Sequence, residues 1–169
     1  GGCQHASVEV TKLAELLNVG VIASNAGKGV ISDANQLSLG GGIISPAIQY
    51  YLGKADVVLA IGTELGEADS FIYDLPVNGK LIRIDIDPAR FSDAFPADVA
   101  ILGDARAACV ELIEVLSGLE VVTASQDIIS ALNSVREQQE SDYTDVERQH
   151  IKLLNILRDE LPDDGIIFG

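Results

Sequence analysis

Methionine and tryptophan are absent from the 169 residues, cysteine occurs twice, and aromatic side chains make up 5 %. Any core must then be filled by Val, Ile, Leu and Ala, and the 47 % apolar share is ample for that. Two cysteines, Cys3 and Cys109, with no CxxC spacing exclude a disulfide framework and a thiolate metal knuckle, and a reducing, cytoplasmic setting is expected. Cations are scarce: 11 Lys and Arg stand against 26 Asp and Glu, a formal net charge of −15. Phosphate backbones and anionic lipid surfaces need Lys and Arg, so neither nucleic acid nor a membrane is an expected partner. No run reaches the ~18 apolar residues of a membrane span. With no Met even at position 1, a segment of a longer chain is expected.

What is present points to an α/β domain. Asp56 to Ile61 and Leu81 to Asp85 are short apolar runs rich in Val, Ile and Leu, each ending in a polar loop. Runs without polar alternation read as strands of a parallel sheet buried on both faces. In such sheets the loops at the carboxyl ends of the strands form the ligand crevice. Val19 to Ser24 and Val99 to Leu102 read as further strands. Helical spacing predicts a helix over Ser7 to Asn18, another from Ser45-Pro46 to Gly53, and a third after Asp104 to about Leu116. Residues 30–45 read as mostly loop. Past residue 119 the composition turns polar. Glu120 to Ser125 reads as a junction with a capping box at Thr123 and Gln126, followed by helices over about 126–140 and 145–161. In the second of these, Ile151, Leu154, Leu157 and Leu161 share one stripe. The expected organisation is an α/β domain over residues 1–118, a helical linker over 119–162, and the first strand of a further domain over 163–169.

The candidate site residues lie in the loops. Gly1-Gly2 and Gly40-Gly41-Gly42 either let backbone approach a phosphate, since Gly lacks Cβ, or simply make turns. No GxGxxG occurs, because Ser32 stands where a third Gly would follow Gly27 and Gly29. Asp85, at a strand end, either grips ribose hydroxyls or braces a turn, and for Asp87 before Pro88 the turn is the favoured role. Gly103-Asp104 opens a helix, so a capping role for Asp104 is expected, with room for a ligand amine contact in addition. Glu64, Glu67 and Asp69 follow the second predicted strand. Paired carboxylates can do acid–base work or hold Mg²⁺, but a solvated acidic loop is commoner, and either way it repels a pyrophosphate. His5 and His150 lack ligand spacing, and no nucleophilic triad is visible.

Taken in order, these motifs become specific. Gly1-Gly2 before a helix, Ser24 to Gly29, Leu39 to Gly42, Ala55 to Thr63, Ile84 to Pro88 and Gly103-Asp104-Ala105 follow one another in a single line. The chain resembles the central domain of thiamine-diphosphate-dependent enzymes of the acetolactate synthase group. That resemblance implies a Rossmann-like sheet of about six parallel strands with helices on both faces. It implies a parent enzyme that acts on a 2-keto acid with thiamine diphosphate and Mg²⁺ held by other domains, and that forms a homodimer or tetramer. The residues on this chain would then be non-catalytic. Decarboxylase or lyase activity, and a nucleotide-binding or sensor module sharing only the fold, are the alternatives. By position, the resemblance places nucleotide contacts on Gly1, Gly2, Ser24, Asn25, Gly41, Gly42, Gly62, Thr63, Asp85, Ile86, Gly103 and Asp104. FAD-binding members carry a basic loop where this chain has Glu64-Leu65-Gly66-Glu67-Ala68, and Met-His where it has Gly41-Gly42. FAD is therefore expected to bind weakly or not at all, and ADP is the ligand expected first.

Overall fold

The computed structural model describes residues 2–67, 71–119, 127–162 and 165. Helix α1 spans Ser7–Leu17 and turns Val10, Leu13 and Ala14 inward. It ends at Asn18, whose φ of 53° is left-handed, a conformation that Asn adopts more readily than most residues. Helix α2, Pro46–Leu52, starts with Pro at its first position, where a missing N–H costs nothing. Ser45 holds the cap position, but its side chain makes no cap bond, and its buried Oγ lacks a partner among the described residues.

Strands β1 (Val57–Ile61), β2 (Lys80–Asp85) and β3 (Val99–Leu102) form a parallel sheet in the order β1-β2-β3. The parallel α/β class is as the sequence predicts. The number of strands is smaller: three in the sheet among the described residues, against the expected six or so. The predicted strand over 19–24 is reduced to a single parallel bridge between Val21 and Ser38. Around it the backbone bonds run from Val21 N to Leu37 O, Leu39 N to Val21 O and Ala23 N to Gly40 O. Its partner lies in the stretch expected to be loop. Gly40, at φ 65°, turns the chain just where this pairing stops.

Both faces of β1 are covered, and its alternation decides by what. Leu59 and Ile61 pack on the cluster of Ala6, Val10, Leu13, Ala105 and Cys109, which joins α1 to helix α3 (Ala105–Ser117). Val58 packs on the opposite cluster of Ile43, Leu52 and Leu75. Burial of the strands on both faces holds least well at the sheet's two edges. Val57 and Val99 are each 50 % exposed and Leu102 is 63 % exposed. Among the described residues two of the three strands are edges, and only β2 has a neighbour on each side.

Helix α4 (Ile128–Asp142) falls within the stretch read as a linker, yet it completes a core. Leu132 is fully buried among Ala14, Ile31, Leu37, Leu39 and Ile48. Arg136 donates from Nη2 to Gln36 O and Ser38 O, both at 2.7 Å, and so holds the Val21-paired segment in place. Helix α5 (Asp145–Glu160) opens with a capping box in which Thr144 and Glu147 satisfy each other's backbone N–H groups. Leu153, Leu154, Ile156 and Leu157 on α5 are exposed. The predicted junction over 120–125, its capping box and the strand start over 166–168 lie outside the described residues. No helix among the described residues is long and apolar enough to cross a membrane.

Candidate functional site

Ladder register brings three of the predicted loops side by side. Ile61 pairs with Ile84 and Asp85 with Leu102, so β1, β2 and β3 end at one level. The backbone carries on across the turns: Gly62 N donates to Ile84 O at 2.8 Å, and Gly103 N donates to Asp85 O at 2.9 Å. A fourth segment joins them, because Gly2 N donates to Gly62 O at 3.2 Å. Gly2, Gly62-Thr63, Asp85-Ile86 and Gly103-Asp104 thus line the carboxyl edge of the sheet, where parallel sheets bind ligands. Gly62 has φ 56°, and a Cβ on it would lie 2.7 Å from Gly2 Cα. Only glycine fits both the turn and the contact.

Ser24, Asn25, Gly41 and Gly42 form a second group, held by the bond from Ala23 to Gly40. Ser24 Oγ accepts from Gly27 N at 3.1 Å and caps a short 3-10 turn. The stem of Lys28 passes over Gly41, with its Cδ at 3.8 Å from where a Cβ would be. Gly42 is wedged between Ile48 and Gln139. A Cβ on it would stand closer to both side chains than van der Waals contact permits, so packing against α2 and α4 explains its bareness. Gly1 lies outside the described residues. Ile22 and Val58 pack on the same cluster, which ties this group to the sheet.

Asp85, Asp87 and Asp104 each have a structural task, while Asp69 lies outside the described residues. Asp85 Oδ1 accepts from Asp87 N at 2.9 Å, and Asp87 Oδ1 accepts from Ala89 N at 3.0 Å. Asp104 Oδ1 accepts from Ala107 N at 3.0 Å and caps α3. A carboxylate has about four acceptor positions, so these bonds leave capacity for a ligand hydroxyl. Ile86, between the two turn aspartates, exposes 74 % of its surface and offers an apolar platform at the strand end.

Two cations at this edge went unmarked in the sequence reading. Arg90 pairs with Glu64 at 2.9 Å and with Asp87 at 3.5 Å, so the acidic loop after β1 is partly neutralised from the turn after β2. Arg83, inside β2, is buried and pairs with Asp93 at 2.6 Å. Burial alone would raise the Asp93 carboxyl, but the Arg83 and Phe95 N–H hydrogen bonds hold it below the usual range. A charge in the middle of an apolar strand was the available signal, because a buried charge needs a partner. Among the described residues no three His, Cys, Asp or Glu side chains converge as a metal site.

Comparison with known proteins gives the family and the fold of the chain. A family model described as "Thiamine pyrophosphate enzyme, central domain" matches residues 1–112. A probable acetolactate synthase large subunit of Methanococcus aeolicus is 38 % identical over 114 residues, covering 66 % of this chain and 19 % of the relative. A probable 2-ketoarginine decarboxylase of Pseudomonas aeruginosa is 30 % identical over 106 residues, covering 63 % of this chain and 19 % of the relative. The chain thus spans about a fifth of the length of these curated relatives. An X-ray structure of a protein assigned to the thiamin diphosphate-dependent enzymes of Mycobacterium smegmatis superposes with a TM-score of 0.51 at 23 % identity, covering 72 % of this chain and 23 % of that one. At that identity the likeness is one of fold.

Proposed function

The chain belongs to the thiamine pyrophosphate enzyme central-domain family, and from that premise we propose that it is the non-catalytic, nucleotide-site domain of a larger 2-keto acid carboligase of the acetolactate synthase type. In this reading thiamine diphosphate and Mg²⁺ sit on other domains and supply the carbon chemistry. The observation that carries the reading is the match over residues 1–112 combined with the aligned turns at Gly62, Asp85 and Gly103. The intact protein would be a cytoplasmic homodimer or tetramer, with the bare apolar side of α5 covered by a neighbouring domain.

At the crevice the chain's own residues do three things. Gly2 and Gly62 bring backbone close to the ligand without a Cβ in the way. The Asp85 carboxylate accepts from ribose hydroxyls with the capacity its turn bond leaves free. Ile86 gives the adenine an apolar wall. At the phosphate end Glu64 and Glu67 oppose an anion, and Arg90 offsets only part of that charge. The balance favours ADP over FAD. Calorimetric titration of the intact protein with ADP, beside an absorbance scan for a flavin band, tests this. Saturable ADP binding by a colourless protein supports it; a stoichiometric flavin band overturns the preference.

A second reading, simple decarboxylation, has support in the 30 % identity to the 2-ketoarginine decarboxylase. Product analysis separates the two. A carboligase joins the acyl unit to a second keto acid, whereas a decarboxylase releases an aldehyde. Absence of any 2-keto acid turnover by the intact protein would favour a nucleotide-binding or sensor module.

A further inference from the structure

Arg83 is 1 % exposed, yet it lies in the middle of a strand whose other inward side chains are apolar. Three hydrogen bonds tie its guanidinium to loops rather than to the sheet. Nη1 donates to Asp93 Oδ1 at 2.6 Å and to Phe95 O at 2.8 Å. Nη2 donates to Thr63 O at 3.1 Å. Asp93 Oδ1 also accepts from Phe95 N at 3.0 Å, so the 93–95 turn is closed on the same oxygen.

The geometry is that of a strut. Thr63 belongs to the turn after β1, which carries the left-handed Gly62 against Gly2. Asp93 and Phe95 belong to the crossing between β2 and β3. Arg83 shares its sheet face with Asp85, two residues on, because strand side chains alternate. One planar fork therefore links the turn after β1 to the segment after β2, directly beneath the strand end that bears Asp85. Lysine places its three donors on one nitrogen and lacks the planar fork whose two nitrogens here reach acceptors on two loops. Stability alone is a poor reason for such a group, since a buried ion pair is often no more stabilising than apolar side chains of similar volume.

We propose that Arg83 and Asp93 are positioning residues for the nucleotide crevice: by fixing the Thr63 carbonyl they hold the Gly62-Thr63 turn in its ligand-ready shape without touching the ligand. The proposal rests on the nucleotide-site reading above. Two measurements on the intact protein separate them: ADP affinity by calorimetry, and amide hydrogen exchange without ligand.

Asp93→Asn keeps the size of the side chain and removes the charge that Arg83 holds. It should weaken ADP binding roughly tenfold, toward the low end of couplings between a ligand and groups that do not contact it. Exchange at residues 63–67 and 93–95 should rise while β1 and β2 stay protected. Arg83→Lys should not rescue either readout, since the fork is lost while the charge remains. Unchanged exchange in 63–67 overturns the proposal, as does loosening spread evenly over the whole sheet, which is what a merely structural pair would give. If the wild-type protein binds no ADP, the nucleotide reading fails. The role toward a nucleotide falls with it, and the hold of Arg83 and Asp93 on the Gly62-Thr63 turn is then decided by exchange alone, with a local rise at 63–67 supporting it and no local rise refuting it.

Discussion

Gly2 and Gly62 meet backbone to backbone: the Gly2 N–H reaches the Gly62 carbonyl at 3.2 Å, and a Cβ on either residue would stand 2.7 Å from the other's Cα. The contact fastens the start of the chain to the carboxyl end of β1. Gly62→Ala faces two costs, a left-handed φ and a collision with backbone that has no flexible end to move. Gly29 has φ 87° but nothing within 4 Å, so Gly29→Ala isolates the first cost, about 1–2 kcal/mol. Gly62→Ala should lose clearly more than Gly29→Ala, and Gly103→Ala, with open space and ordinary φ, should be nearly neutral. Thermal unfolding of the three variants gives the order.

Leu132→Ala should destabilise by about 2–5 kcal/mol, the range for deleting a fully buried leucine. Denaturant unfolding measures it. A change near zero would mean that α4 is a free linker helix, contrary to its place in the core with Ala14 and Ile48.

The fold was legible where local signals agree with the global one. The runs at 57–61 and 80–85 and the Asp104 cap stand where their residue types place them. The Val21 strand was overestimated because four apolar residues say nothing about how many partners they find. Its true partner, Leu37 to Gly40, hid in a Gly- and Ser-containing stretch that reads as loop. Leu132 was hidden by a polar helix that buries essentially one residue, too little for a periodic signal. The Thr144–Glu147 capping box was missed although the sequence reads T-x-x-E there. At the sheet edge, the glycines and Asp85 could be placed from sequence, but whether a carboxylate braces a turn depends on hydrogen bonds that the sequence does not show. Arg83 was missed for a different reason: its partners lie 10, 12 and 20 residues away, beyond any local pattern.

The acid limb of stability should depend on Asp93. Its ordinary value is 3.8, and in the folded chain it is held lower by Arg83, the Phe95 N–H and the nearby Arg90, against the opposing effect of burial. A depressed folded value means that the unfolded chain takes up the proton first. The contribution of the pair is therefore complete above about 3.8 and is lost as pH falls through the lower folded value. Asp93→Asn should remove this part of the slope. Chemical unfolding at a series of pH values from neutral down to about 3 would show it as a flatter acid limb.

The two thiols should differ in reactivity. Burial pushes Cys109 up to about 11, and its side chain is fully covered between α1 and α3. Cys3 is also raised by burial but remains partly accessible, with its Sγ donating to Ile61 O at 3.1 Å. A thiol reagent near neutral pH should label Cys3 slowly and Cys109 only on unfolding, because the thiolate is the reactive form. Mass spectrometry of timed samples distinguishes them. Rapid labelling of Cys109 in the native state would contradict the packing of α1 against α3.

The central claim, that this is the non-catalytic middle domain of a thiamine-diphosphate enzyme, is tested most directly by one assay run on two samples. Carbon dioxide release from a panel of 2-keto acids is measured with thiamine diphosphate and Mg²⁺, for the intact protein and for residues 1–169 alone. The expected result is turnover that depends on thiamine diphosphate in the intact protein and none from residues 1–169. Turnover by residues 1–169 alone, or none by the intact protein with the cofactor present, would contradict it.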